Sequence, residues 1–117
     1  MFTDVEGSTE LWDQVPEAMS SVLKVHDAII RDQIERFDGY EVKTEGDAFM
    51  VAFGRPQMAL EWCMACQTEL LGATWPDDLL RHEKAAALSS PTGMLFAAGC
   101  ACAWVCIAVS LSVAMIR

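Results

Sequence analysis

The chain has 117 residues, room for one small domain with a modest core. Its 17 acidic residues against 8 basic ones leave a net charge of −9, which argues against a basic face that neutralises nucleic-acid phosphates. Five cysteines stand behind an N-terminus with no basic region and apolar stretch, and they read as reduced thiols in a cytosolic setting, not as a disulfide framework.

The chain opens with Met1-Phe2-Thr3-Asp4, the end of a strand whose start is cut, because a buried strand normally needs about five residues. Glu6-Gly7-Ser8-Thr9 is a turn into a short helix through Leu11 and Trp12. Pro16 suits the first turn of a longer helix. Met19, Val22, Leu23, His26, Ile29, Ile30, Ile34 and Phe37 recur at helical spacing, and Gly39 is placed to end that helix. His26 lies on the apolar stripe and reads as a hydrogen-bonded core residue, not a metal ligand.

Tyr40, Val42 and Thr44 alternate with Glu41, Lys43 and Glu45, which is strand periodicity. Gly46-Asp47 makes a tight turn, and Ala48 to Phe53 is an apolar run suited to a buried strand, so the two form a hairpin. After Gly54-Arg55-Pro56, a second amphipathic helix carries Ala59, Trp62, Cys63, Cys66 and Leu70 and ends near Gly72. The order strand, helix, strand, strand, helix is most of the split βαββαβ pattern of ferredoxin-like α+β domains. No strand is evident between Trp75 and Pro91, and the closing strand of the pattern is missing.

Two carboxylates stand out by position. Asp4 follows a strand end and Asp47 sits in the hairpin turn. With the first strand beside the hairpin, both reach one edge of the sheet, where hard oxygen ligands can hold Mg²⁺ or Mn²⁺ with help from substrate phosphates. Acidic residues in turns are more often only solvated or capping. The helix start after Gly7 offers backbone N–H groups to phosphate.

Phe2-Thr3-Asp4-Val5-Glu6-Gly7-Ser8-Thr9-Glu10-Leu11-Trp12 resembles the first metal-binding motif of class III nucleotide cyclases. The segment from Gly39 through Lys43-Thr44-Glu45-Gly46-Asp47 to Val51 resembles the second, in the style of fungal and trypanosomatid adenylyl cyclases. The resemblance covers roughly residues 2–80 and implies the front part of a catalytic domain that converts ATP to cyclic AMP and pyrophosphate. It implies two ions, Mg²⁺ or Mn²⁺, on Asp4 and Asp47 with the Val5 backbone carbonyl as a further ligand. It implies a triphosphate cradle over Glu6, Gly7, Ser8 and Thr9. Lys43 would read adenine, an ammonium donor meeting a ring-nitrogen acceptor, where guanylyl cyclases tend to carry Glu. Without that motif Lys43 is an ordinary exposed strand residue.

The family site forms between two catalytic domains and draws an Asn, an Arg and a second base-reading residue, commonly Asp, from the later half. None has a recognisable counterpart here, and Arg81 and Arg117 lie in no matching motif. The chain is therefore expected to be poorly stable and inactive alone. The alternative reading is a non-catalytic half-domain, anchored to a membrane, that pairs with or regulates a full cyclase.

Residues 81–92 read as a linker, with Ser89-Ser90-Pro91 as the boundary, and 93–117 as an apolar helical tail. From Gly93 to Ile116 the chain carries no charge over 24 residues, and about 20 suffice to span a bilayer. Two readings compete: a foreign end from a read-through intron or shifted frame, which leaves the chain cytoplasmic and is slightly favoured, or a membrane anchor with the catalytic part cytoplasmic. Cys63-Met64-Ala65-Cys66 lies inside a helical pattern, so core packing is favoured over redox or zinc chemistry. Cys100, Cys102 and Cys106 are small apolar fillers, or palmitoylation sites if the tail meets a membrane.

Overall fold

The computed structural model describes residues 1–5 and 7–81, and the backbone of 88–89 and 95–97. The chain runs β1 (Phe2–Thr3), α1 (Ser8–Gln14), α2 (Pro16–Arg36), β2 (Gly39–Glu45), β3 (Ala48–Phe53), α3 (Pro56–Gly72) and α4 (Asp77–Leu80). β4 (Leu88–Ser89) and β5 (Leu95–Ala97) then form a separate antiparallel pair. The expected α+β architecture is present, with the sheet order β1-β3-β2. β3 is antiparallel to both neighbours. A strand thus lies between the two that the α1–α2 crossover connects, the arrangement of a split βαβ unit.

The helical spacing is realised on α2, whose Met19, Val22, His26, Ile30 and Ile34 are buried. Pro16 occupies the first turn, where its missing N–H costs nothing. Gln33 is also buried, at 1% exposure, since it sits one turn beyond Ile30 on the same side. Its Nε2 donates to Asp32 Oδ2 at 2.8 Å. On α3 the stripe is Trp62, Cys63, Cys66 and Leu70. α2 and α3 cover one face of the sheet and meet Val5, Leu11, Phe49 and Val51 in a single core. Burying side chains of this size contributes about 1.5–3 kcal/mol each, and this is what holds the layers together.

Gly39 does not end α2. The left-handed residue after the helix is Asp38, at φ 52°, a conformation that Asp tolerates better than most residues. Gly39 already belongs to β2. Glycine is required there for space: a Cβ would lie 2.7 Å from Phe53 Cε1 and 3.2 Å from Ile34 Cγ2.

α4 is absent from the sequence reading because four residues show no periodicity. Leu79 seats it, fully buried, and the Trp75 indole Nε1 donates to the Leu70 carbonyl at 3.0 Å just before it. β4 is a two-residue strand in a stretch where none was expected. Of the expected helix over 93–116, only Leu95–Ala97 are described, and these form a strand. The rest of that segment lies outside the described residues, as do Cys100, Cys102 and Cys106.

Candidate active site

Thr3 pins β1 to the hairpin. It is buried, pairs with Phe49 across the ladder, and its Oγ1 accepts the Phe49 N–H at 3.1 Å. The Val51 N–H reaches the Met1 carbonyl at 2.9 Å and extends the same seam. Asp4 therefore emerges beside the turn that carries Asp47. That turn runs through Gly46 at φ 62°, a value glycine adopts without strain.

The two carboxylates converge. The Val5 N–H donates to Asp4 Oδ1 at 3.0 Å and to Asp47 Oδ2 at 3.2 Å. Two aspartates 43 positions apart in sequence thus share one backbone donor. The carbonyl of the same Val5 accepts the Ser8 N–H at 3.2 Å. Among the described residues no third His, Cys, Asp or Glu joins them. A pair of carboxylates with a carbonyl is a donor set that fits Mg²⁺ or Mn²⁺, which keep several waters and take further oxygens from a phosphorylated substrate.

Gly7 caps α1 in the left-handed region, at φ 70° and ψ 16°, with no side-chain cap. Ser8 and Thr9 form the first turn that follows. Glu6 lies outside the described residues.

Lys43 lies on the exposed face of the sheet, as its spacing suggests; it is Glu41 that leaves the face it would share with Lys43 and Glu45. Simple alternation puts Lys43 on the side of Glu41 and Glu45. The structure has a bulge in β2 between Glu41 and Lys43, which leaves Val42 without an opposite residue. Glu41 faces Val51, on the helix-covered side, while Lys43 faces Met50 on the open side. Because Phe2 also faces Met50, the row Phe2–Met50–Lys43 crosses the three strands. These residues, with Glu45, Ala48 and Phe49, line a shallow hollow on the open face. Lys43 Nζ donates to Glu45 Oε1 at 2.8 Å, and this bond holds the Glu45 carboxyl below its usual range. Phe2 and Met50 lie within the two motif segments but bear no polar group, and only their register with Lys43 places them at the hollow.

His26 is buried, with Nδ1 2.9 Å from Asp27 Oδ1 and its ring tilted against Phe49, which makes it a core residue. Cys63 and Cys66 are buried too, and burial pushes their thiols up to about 11 and about 12. Thiols that stay protonated in this way are poor nucleophiles, the opposite of a redox pair.

A family described as the adenylate and guanylate cyclase catalytic domain matches residues 1–88. The chain belongs to this family. The match includes the carboxylate pair, the turn into α1 and the hairpin. The chain is 45% identical over 93 residues to an adenylate cyclase of Lachancea kluyveri, covering 80% of this chain and 5% of that protein. It is 50% identical over 80 residues to the adenylate cyclase of Schizosaccharomyces pombe, covering 68% and 5%. A solved adenylate cyclase of Trypanosoma brucei in its monomeric state superposes with a TM-score of 0.65 at 38% identity, covering 67% of this chain and 34% of that one. The described part is thus an adenylate cyclase catalytic-domain fold in its opening elements, and the chain spans about a twentieth of the length of these curated relatives.

Proposed function

We propose that this chain supplies the metal- and nucleotide-binding elements of an adenylate cyclase site that converts ATP to cyclic AMP and pyrophosphate. The observation that carries the reading is the convergence of Asp4 and Asp47 on the single Val5 N–H. Cyclase catalytic domains depend on divalent metal in general and work as dimers, so a second catalytic domain completes the site.

Asp4 and Asp47 would hold two divalent cations, Mg²⁺ or Mn²⁺, with the Val5 carbonyl as an additional oxygen. When bound, such ions favour ionisation of an attacking hydroxyl and neutralise a leaving phosphate. The Glu6–Thr9 backbone would cradle the triphosphate, because the dipole and backbone N–H groups of a helix start favour anions. Lys43 donates to an adenine ring nitrogen, and Phe2 and Met50 give the base an apolar floor. In the reaction the ribose 3′-oxygen attacks the α-phosphorus, the bond to the β-phosphate oxygen breaks, and the hydroxyl proton passes to solvent. The chain's contribution is positioning and charge neutralisation, with no covalent intermediate. In this reading residues 1–80 form the partial catalytic domain, 81–92 a linker, and 93–117 an apolar tail. Among the described residues no helix is long and apolar enough to cross one.

Equilibrium binding of a fluorescent ATP analogue to the full chain in Mn²⁺ tests this. Binding is expected to depend on Mn²⁺ and to fall at least about tenfold in Asp47→Ala, about 1.4 kcal/mol. Binding that is indifferent to both Mn²⁺ and the substitution would overturn the reading.

A further inference from the structure

The bulge in β2 decides which face Lys43 occupies, and side chains outside the motif hold that bulge. Glu41 is the last residue before it and Thr44 the second after it. Arg31 of α2 grips the Glu41 carboxylate with two parallel bonds, Nε to Oε2 at 3.0 Å and Nη2 to Oε1 at 3.2 Å. The Thr44 hydroxyl donates to Glu41 Oε1 from the other side of the bulge. Arg31 is itself fixed: its guanidinium lies 5.0 Å over the Phe49 ring, and Asp27 stands one turn behind it on α2. The bonds from Arg31 and Thr44 keep the Glu41 carboxyl below its usual range, and the Arg31 guanidinium is correspondingly raised. A forked arginine on a carboxylate holds geometry better than a single bond does. Closing Glu41 onto Thr44 across only two intervening residues leaves Val42 and Lys43 no room to remain in plain extended alternation. Both side chains consequently emerge on the exposed side.

We infer that Arg31, Glu41 and Thr44 form a clamp that sets the β2 bulge and thereby turns Lys43 onto the open face, making Arg31 and Glu41 positioning residues for nucleotide selection. The selection part rests on Lys43 as the base reader, whereas the register part does not. Without the bulge, Val42 falls opposite Met50 and Lys43 falls opposite the buried Phe49, so the ammonium is withdrawn from the hollow.

Two readouts on the full 117-residue chain separate these parts. Cross-strand NMR contacts report register: in the native chain Lys43 pairs with Met50, and Tyr40 with Ala52. In Glu41→Ala, and independently in Arg31→Ala, the Lys43–Met50 contact is expected to weaken or give way to Val42–Met50, while Tyr40–Ala52 persists and shows that the sheet is intact. A Lys43–Met50 contact unchanged in both variants overturns the inference. The second readout is competition of ATP against GTP for the chain in Mn²⁺. The preference for ATP is expected to fall at least about fivefold in Lys43→Ala, the loss of one charge-assisted bond, and by a similar factor in Glu41→Ala. A Lys43→Ala variant with undiminished preference removes Lys43 as the reader and leaves the clamp to be judged by register alone. A preference lost in Lys43→Ala but kept in both clamp variants keeps the reader and overturns the clamp's role in selection.

Discussion

The two faces of the same three strands have opposite fates. Towards the helices the sheet presents Thr3, Phe49 and Val51, all buried and locked against α2 and α3. Away from them it presents Phe2, Tyr40, Val42 and Lys43, all exposed, with Tyr40 at 70%. An antiparallel sheet with one solvated face usually makes that face polar. Here it is largely apolar around the Lys43–Glu45 pair. The covered face builds stability, and the open face holds the side chains that the proposed chemistry uses, with the carboxylate pair at its edge. Large effects on folding should therefore come from the covered side, and effects on ligand from the open side.

The sharpest test of that division sets Trp62 against Tyr40. Trp62 is 1% exposed, packs its ring 5.3 Å from Phe53, and joins α3 to the sheet. Trp62→Ala is expected to cost about 3–5 kcal/mol, a large share of a small domain's stability. Tyr40→Ala is expected to stay within about 0.5 kcal/mol. Urea unfolding of both variants measures the contrast, and comparable losses would dissolve it.

Gly39 tests how tightly the covered side is packed at its margin. Gly39→Ala drives a methyl group between Phe53 and Ile34 and is expected to destabilise by about 1–3 kcal/mol. Gly54→Ala, where a Cβ meets nothing within 4 Å, is the control expected to change little. Equal midpoints for the two variants would show that Phe53 yields freely.

The smallest expected effect belongs to the Arg31–Glu41 pair, half-exposed at the boundary between the faces. Its folded carboxyl lies below the reference 4.5, so the unfolded chain takes up a proton first as pH falls. The pair's stabilisation is complete above about 4.5 and is lost as pH drops through the lower folded value. Partial exposure limits it to about 0.2–1 kcal/mol. Urea midpoints of native chain and Glu41→Gln should therefore differ at pH 7 and draw together towards pH 3. A constant difference would assign Glu41 a role other than that of an ionised partner.

Much of this is legible in the amino-acid sequence. The helical recurrence from Met19 to Ile34, the Trp62–Leu70 stripe and the turn at Gly46-Asp47 are local signals, set by side-chain period and by turn chemistry. The words around Asp4 and Asp47 point to the cyclase family for a similar reason: the resemblance lies in particular residues in unbroken order. Asp38 in place of Gly39 as the left-handed residue, the burial of Gln33 and the seat of Leu79 were not legible, because each depends on a neighbour from another element.

Lys43 marks the division most clearly. The amino-acid sequence by itself determined that β2 is a strand, that its partner is β3, and that an acidic turn joins them, since period and turn residues act over a few positions. It could not determine that Glu41 and Lys43 take opposite faces, because one inserted residue reverses the side chains on one side of it relative to those on the other. That choice lies with Arg31, ten residues upstream of Glu41 on α2, and with the Thr44 hydroxyl closing on Glu41. Only packing the helix against the sheet brings these groups within bonding distance, so only the tertiary structure decided it.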